Sequence, residues 1–151
     1  MIAVLAPCFN EENTIVPFLT KLGNVLFALD EKFHVIIIDD CSQDNSLQLL
    51  SSFIFPGDIH FHILHLKFNV GQQGAIYQGL IYAGSLDISH AIVMDCDGED
   101  DPSAIPSLLQ MKNYEIITVK RGKRSENFLF RISYIFYKFL FHFITGKTID
   151  Y

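Results

Sequence analysis

Residues His90–Leu109 read "HAIVMDCDGEDDPSAIPSLL". The run Ala91–Asp95 is short and apolar up to its last residue, the pattern of a strand buried inside a sheet. Carboxylates then crowd together at Asp95, Asp97, Glu99, Asp100 and Asp101. Asp101-Pro102 has the chemistry of a helix start, with the aspartate as N-cap and the proline as first helical residue, for a helix reaching Gln110. Strand, acidic loop and helix in that order form part of a β-α-β arrangement. Like charges repel, and an apolar run offers them no partner, so this loop requires a positive charge from elsewhere.

The same unit recurs along the chain. Ile2–Ala6, Val35–Asp39, Phe61–Leu66 and Glu115–Val119 are the other strand candidates. Between the first two, Ile15, Phe18, Leu19, Leu22, Val25, Leu26 and Leu29 share one helical face, with Pro17 in the first turn, where a missing N–H is harmless. A second helix is expected from Asn45 to Phe53 behind Asp44 as its cap, and a third from near Gly71 to about Ala83. This alternation predicts an α/β fold: a Rossmann-like, mostly parallel sheet with helices on both faces and right-handed crossovers. No repeat, low-complexity tract or linker interrupts it, so residues 1–151 are read as a single domain.

Composition narrows the class. Half the residues are apolar, enough for a core in a chain of 151 residues, and the net charge of −6 argues against a nucleic-acid backbone as partner. Cys8, Cys41 and Cys96 are an odd number without Cys-x-x-Cys spacing, which suits small core fillers in a reduced, cytoplasmic setting. The opening "MIAVLAP" lacks the basic region of a signal peptide. No segment reaches the roughly 20 uncharged apolar residues of a spanning helix.

In an open parallel sheet, ligands bind beyond the carboxyl ends of the strands, and there the polar clusters fall. Asn10-Glu11-Glu12 follow the first strand and Asp39-Asp40 close the second. Lys67, Asn69 and Gly71 follow the third, Asp95-x-Asp97-x-Glu99 the fourth, and Lys120-Arg121 the fifth. The Asn10–Asn13 run could serve only to cap a helix. Asp39 is harder to dismiss, because charge at the end of a buried-type run needs a partner. Asp95 and Asp97 carry most weight: capping needs one carboxylate, whereas two at a strand end suit a hard cation. Oxygen ligands without a nearby histidine favour Mg²⁺ or Mn²⁺ over Zn²⁺, and magnesium shares its coordination with substrate phosphates. A phosphorylated, nucleotide-type substrate follows.

The stretches "LAPCFNEENTI", "VIIIDDCSQDNS", "NVGQQGAIYQGLIYA" and "IVMDCDGEDDPSAIPSLL" resemble, in order, the motifs of family 2 glycosyltransferases with the GT-A fold. Within that family the chain looks most like the polyprenyl-phosphate branch, which includes dolichyl-phosphate mannose synthase. The resemblance covers nearly the whole chain. It implies an inverting, metal-dependent transfer from a nucleotide-diphosphate sugar to a lipid-phosphate or saccharide acceptor, in cell-envelope glycan or glycolipid synthesis at the inner face of the membrane. It also implies roles for residues. Pro7, Asn10 and Glu11 would line the nucleotide pocket, and Asp40 would hold base or ribose. Asn69 and Gly71 would close over the nucleotide. Asp95 and Asp97, with Glu99, would hold Mg²⁺ or Mn²⁺ against the diphosphate. Arg121 would clamp the phosphates, Arg131 or Arg124 would face an acceptor phosphate, and Asp150 would act as base or acceptor-positioning group. Two departures stand out: Phe68 replaces a frequent arginine, and Cys41 replaces the glycine usual after the aspartate pair.

Phe128–Ile144, "FLFRISYIFYKFLFHFI", places Arg131, Lys138 and His142 on one helical stripe. It reads either as a helix packed on the sheet or as an interfacial helix at a membrane surface, and it offers a face for self-association. The chain stops at "TGKTIDY", short of an acceptor-side motif, and is expected to be truncated. Three other readings remain open. A phospho-receiver module also pairs acids with a lysine on a parallel sheet, although its acid pair follows the first strand. A phosphatase of the haloacid-dehalogenase type also carries Asp-x-Asp at a strand end, although its motif follows the first strand and wants Thr or Val where Glu99 sits. A nucleotide-sugar-binding fragment without activity is the third.

Overall fold

The computed structural model describes residues 1–111 and 114–119. The chain forms two compact units, Met1–Asn113 and Tyr114–Tyr151. In the first unit, strands β1 (Ile2–Cys8), β2 (Phe33–Asp39), β3 (His60–His65) and β4 (His90–Val93) alternate with helices. The helices are α1 (Ile15–Phe27), α2 (Ser46–Ser52), α3 (Gln72–Ala83) and, after a 3-10 turn at Pro102–Ala104, α4 (Ile105–Leu109).

All strand pairings are parallel, in the order β3-β2-β1-β4. β2 is buried along its whole length and β1 almost so, as continuous apolar runs covered on both faces must be. One core packs Val4, Ala6, Val35 and Ile37 against Phe18, Leu19 and Leu22 of α1 and Leu50 of α2. The opposite core packs Leu5, Ile36 and Ile38 against Ala75 and Ala83 of α3. Small residues let α3 lie close: a Cβ on Gly79 would stand 2.6 Å from Ile38 Cδ1. The doubly covered α/β sheet expected from sequence is therefore present.

Every strand is displaced by one or two residues from the expected bounds at one end or both, and two differences matter most. β4 ends at Val93 rather than Asp95, so the aspartate already belongs to the loop. Residues 115–119 form no strand. Their β-branched composition suits a strand, but a strand exists only where a neighbour accepts its ladder hydrogen bonds. Within the described residues no helix is long and apolar enough to cross a membrane.

Candidate active site

The four strand ends converge on one cavity of about 430 Å³. Pro7, Phe9 and Glu11 reach it from the end of β1, and Asp40 from the end of β2. Asn69, Gly71 and Gln72 arrive from the loop before α3, and Asp95, Cys96 and Asp97 from the loop after β4. A larger cavity of about 620 Å³ lies elsewhere, lined by Phe27, Asp30, Lys32 and Asp58 among others, and holds none of the motif residues.

Hydrogen bonds across the chain build the rim. Asn10, at φ 57, receives the Gln43 N–H on its side-chain oxygen at 2.8 Å, and its own N–H donates to Ser42 Oγ at 3.0 Å. The Glu11 N–H donates to buried Ser46 Oγ at 2.8 Å. Glu12 accepts from the Asn45 side chain at 2.8 Å. Asn10 to Glu12 thus lock the first loop to the second. The helix-capping reading is corrected for Asn10, because α1 begins at Ile15 with Thr14 as its N-cap, and no side chain caps it. The N-cap of α2 is Asn45 and not Asp44, which instead ties two loops together: Oδ1 accepts from the Ser46 N–H at 2.9 Å and Oδ2 from the Glu12 N–H at 3.0 Å. Partial burial pushes its carboxyl up, but the bonds from Ser46 and Glu12 outweigh this and hold it below the ordinary value.

The two aspartates closing β2 are buried and engaged. Asp39 takes His65 Nδ1 on Oδ2 at 2.7 Å, a partner for one oxygen, while its buried Oδ1 has no hydrogen-bond partner among the described residues. Asp40 accepts from the Val70 N–H at 2.7 Å and the Gly71 N–H at 2.8 Å. It lines the cavity while both of its oxygens hold the 69–71 loop. Gly71, at φ 79, makes the turn into α3 where a side chain would be strained. Asn69 Oδ1 also accepts from the Gly71 N–H, at 3.1 Å.

Asp95 and Asp97 are more open to solvent than Asp39 and Asp40. Asp95 Oδ1 accepts from Gln72 Nε2 at 2.6 Å, and Asp97 Oδ1 from the Glu99 N–H at 2.8 Å. Glu99 itself is exposed and does not line the cavity. Among the described residues, no group of three or more His, Cys, Asp or Glu is arranged to hold a metal unaided. Two carboxylates beside a cavity still fit a hard cation that takes its other ligands from phosphate and water.

At the start of the next helix, Asp101 accepts from the Ser103 N–H at 2.8 Å and pairs with Lys21 Nζ at 2.9 Å. First the Ser103 N–H and then Lys21 hold its carboxyl down at about 2. Cys8 and Cys96 are buried, as core fillers should be. Cys8 and burial together push the Cys96 thiol up, while its Sγ donates to the Pro7 carbonyl at 3.0 Å. Cys41 keeps the left-handed backbone, at φ 64, despite not being glycine. Phe68 is exposed and outside the cavity lining. Arg121, Arg124, Arg131, Asp150 and the 128–144 segment lie outside the described residues.

Comparison with known proteins identifies the class. The profile of Glycosyl transferase family 2 matches residues 3–150, and the chain belongs to that family. The phospho-receiver and phosphatase readings are thereby set aside. Among similar curated proteins is the undecaprenyl-phosphate 4-deoxy-4-formamido-L-arabinose transferase of Yersinia pestis (strain Pestoides F). It is 25% identical over 99% of this chain and 46% of its own length. The protein of that name from Proteus mirabilis (strain HI4320) is 28% identical over 83% of this chain and 38% of its own. The chain thus spans less than half the length of these relatives. TarS from S. aureus shares the fold, with a TM-score of 0.56 at 18% identity, over 83% of this chain and 24% of that one. A shorter form of TarS, solved in complex with UDP, superposes with a TM-score of 0.52 at 19% identity, over 83% of this chain and 39% of that one.

Proposed function

We propose that the chain is the donor-binding and catalytic portion of an inverting glycosyltransferase. It would move a sugar from a nucleotide diphosphate to a polyprenyl phosphate, at the inner face of the cell membrane, in cell-envelope glycan or glycolipid synthesis. One observation carries this reading: four loops of a family 2 chain meet at a single cavity that holds Asp40, Asp95 and Asp97. The names of the curated relatives support a lipid-phosphate acceptor, and the UDP complex of TarS supports a nucleotide donor.

Asp95 and Asp97 would hold Mg²⁺ or Mn²⁺, which neutralises charge on the departing diphosphate. The chain's own groups do the rest. The N-terminus of α3 opens on the cavity through Gly71 and Gln72, and its positive dipole end favours a phosphate there. Phe9, 45% exposed at the rim, offers a flat apolar surface for a base. An ionised phosphate acceptor attacks without a base, whereas a saccharide hydroxyl would need one. Arg121 and Asp150 are assigned their roles by family likeness alone.

The test is a thermal-shift panel of UDP-, GDP- and dTDP-sugars with and without Mn²⁺. A ligand that binds only the native state raises the melting temperature in step with its affinity. One nucleotide class should do so, and more strongly with Mn²⁺. No shift with any of the three, with or without the ion, would overturn the reading.

A further inference from the structure

We propose that Gln72 is a positioning residue for Asp95, setting that carboxylate for the cation while tying it to the loop that Asp40 holds. The inference rests on the metal and donor sites proposed above. Gln72 Nε2 donates to Asp95 Oδ1 at 2.6 Å, across 23 residues of sequence and between two different elements. Both residues line the cavity. The Asp95 N–H donates to Asp100 Oδ2 at 2.8 Å, so backbone and side chain are each oriented by a separate group. Asp97, by contrast, is braced from within its own loop by the Glu99 N–H.

Gln72 is itself held in place. It opens α3 directly after Gly71, whose N–H, with that of Val70, is bound by the Asp40 carboxylate. Asp40, the 70–71 backbone, Gln72 and Asp95 therefore form one continuous path along the cavity. The choice of an amide matters. A neutral donor fixes the orientation of a carboxylate and leaves its charge for the cation, whereas an ammonium at the same point would compete with the ion for that charge. Because Gln72 is exposed, its removal deprives the core of nothing.

Mn²⁺ binding to the full chain would be measured by the electron paramagnetic resonance of free Mn²⁺, in the presence of UDP, GDP or dTDP. Wild type, Gln72→Leu and Gln72→Lys are compared. Loss of an orienting partner typically weakens metal binding about 10- to 100-fold, and Gln72→Leu should fall in that range. Gln72→Lys should bind more weakly still. Melting temperatures without metal and nucleotide should stay within about 2 °C of wild type, as for other exposed substitutions. Wild-type Mn²⁺ affinity in Gln72→Leu would overturn the role of Gln72 and leave the functional reading standing. A melting temperature lowered by more than about 5 °C in both variants would make the residue structural and overturn the inference as well. Failure of the wild type to bind Mn²⁺ with any of the three diphosphates would remove the metal site, and this inference with it.

Discussion

Asp39-Asp40 and Asp95-x-Asp97 are both acid pairs at strand ends, yet they are built for different purposes. The first pair is 0% and 2% exposed: Asp39 meets a histidine on Oδ2 while its buried Oδ1 has no hydrogen-bond partner among the described residues, and Asp40 binds two backbone N–H groups. The second sits half-open on the cavity, held by an amide and by its own loop. A buried carboxylate needs partners, and Asp40 has them on both oxygens, so it braces the 70–71 backbone as well as lining the cavity. The β4 pair keeps access to solvent and is suited to a ligand. Sequence spacing alone does not separate the two cases, whereas burial does.

The contrast can be broken most forcefully at Asp40. Asp40→Ala strands the Val70 and Gly71 N–H groups and should lower stability by about 3 kcal/mol, read by chemical denaturation. A loss below about 1 kcal/mol would mean the carboxylate is not structural. Asp97→Ala should do the reverse. Nucleotide-sugar binding with Mn²⁺ should weaken at least about tenfold in calorimetry, with a melting temperature close to wild type. Unweakened binding would reassign the cation.

A smaller effect belongs to pH. His34 Nδ1 and His62 Nε2 lie 2.9 Å apart, and His62 Nδ1 is 3.0 Å from the Tyr82 hydroxyl. Burial first, and then neighbouring histidines, lower the pKa of both rings. A depressed folded value means the unfolded chain takes up protons more readily. The stabilisation is complete above the ordinary value of 6.5 and declines as pH falls below it. Hydrogen exchange at pH 8 and pH 5.5 should show β3 and α3 losing protection before β1. Equal loss in all three would reject the histidines as cause. Smallest is Cys41→Gly, which relieves a left-handed residue at φ 64 and should raise stability by about 0.5 kcal/mol once the added freedom of the unfolded chain is subtracted. A decrease would show that the Cys41 side chain contributes more than its backbone strain removes.

The fold was largely legible because β1 and β2 are apolar runs flanked by helical periodicity, and because α1 buries Ile15, Phe18, Leu19, Leu22 and Leu26 of its expected face. The convergence of four loops followed from parallel topology alone. What sequence did not disclose were partnerships between distant residues. His65 on Asp39, Asp44 across to Glu12, and Gln72 on Asp95 carry no local periodicity. A hint lay in the quoted "NVGQQGA", where Gln72 directly follows the turn glycine. The 115–119 run misled for the opposite reason: its residue types suit a strand, but composition cannot supply the strand beside it.

The tight seat of α3 against Ile38 and Leu5 makes that helix a lever with a fixed fulcrum. Gly79 lies about 12 Å along the axis from Gly71 at 1.5 Å per residue. A methyl group added at Gly79 would lift the middle of the helix off the sheet and swing its leading end, and Gln72 with it, relative to Asp95. Such a lesion, out of reach of any sugar nucleotide, would register as a fault in ligand capture.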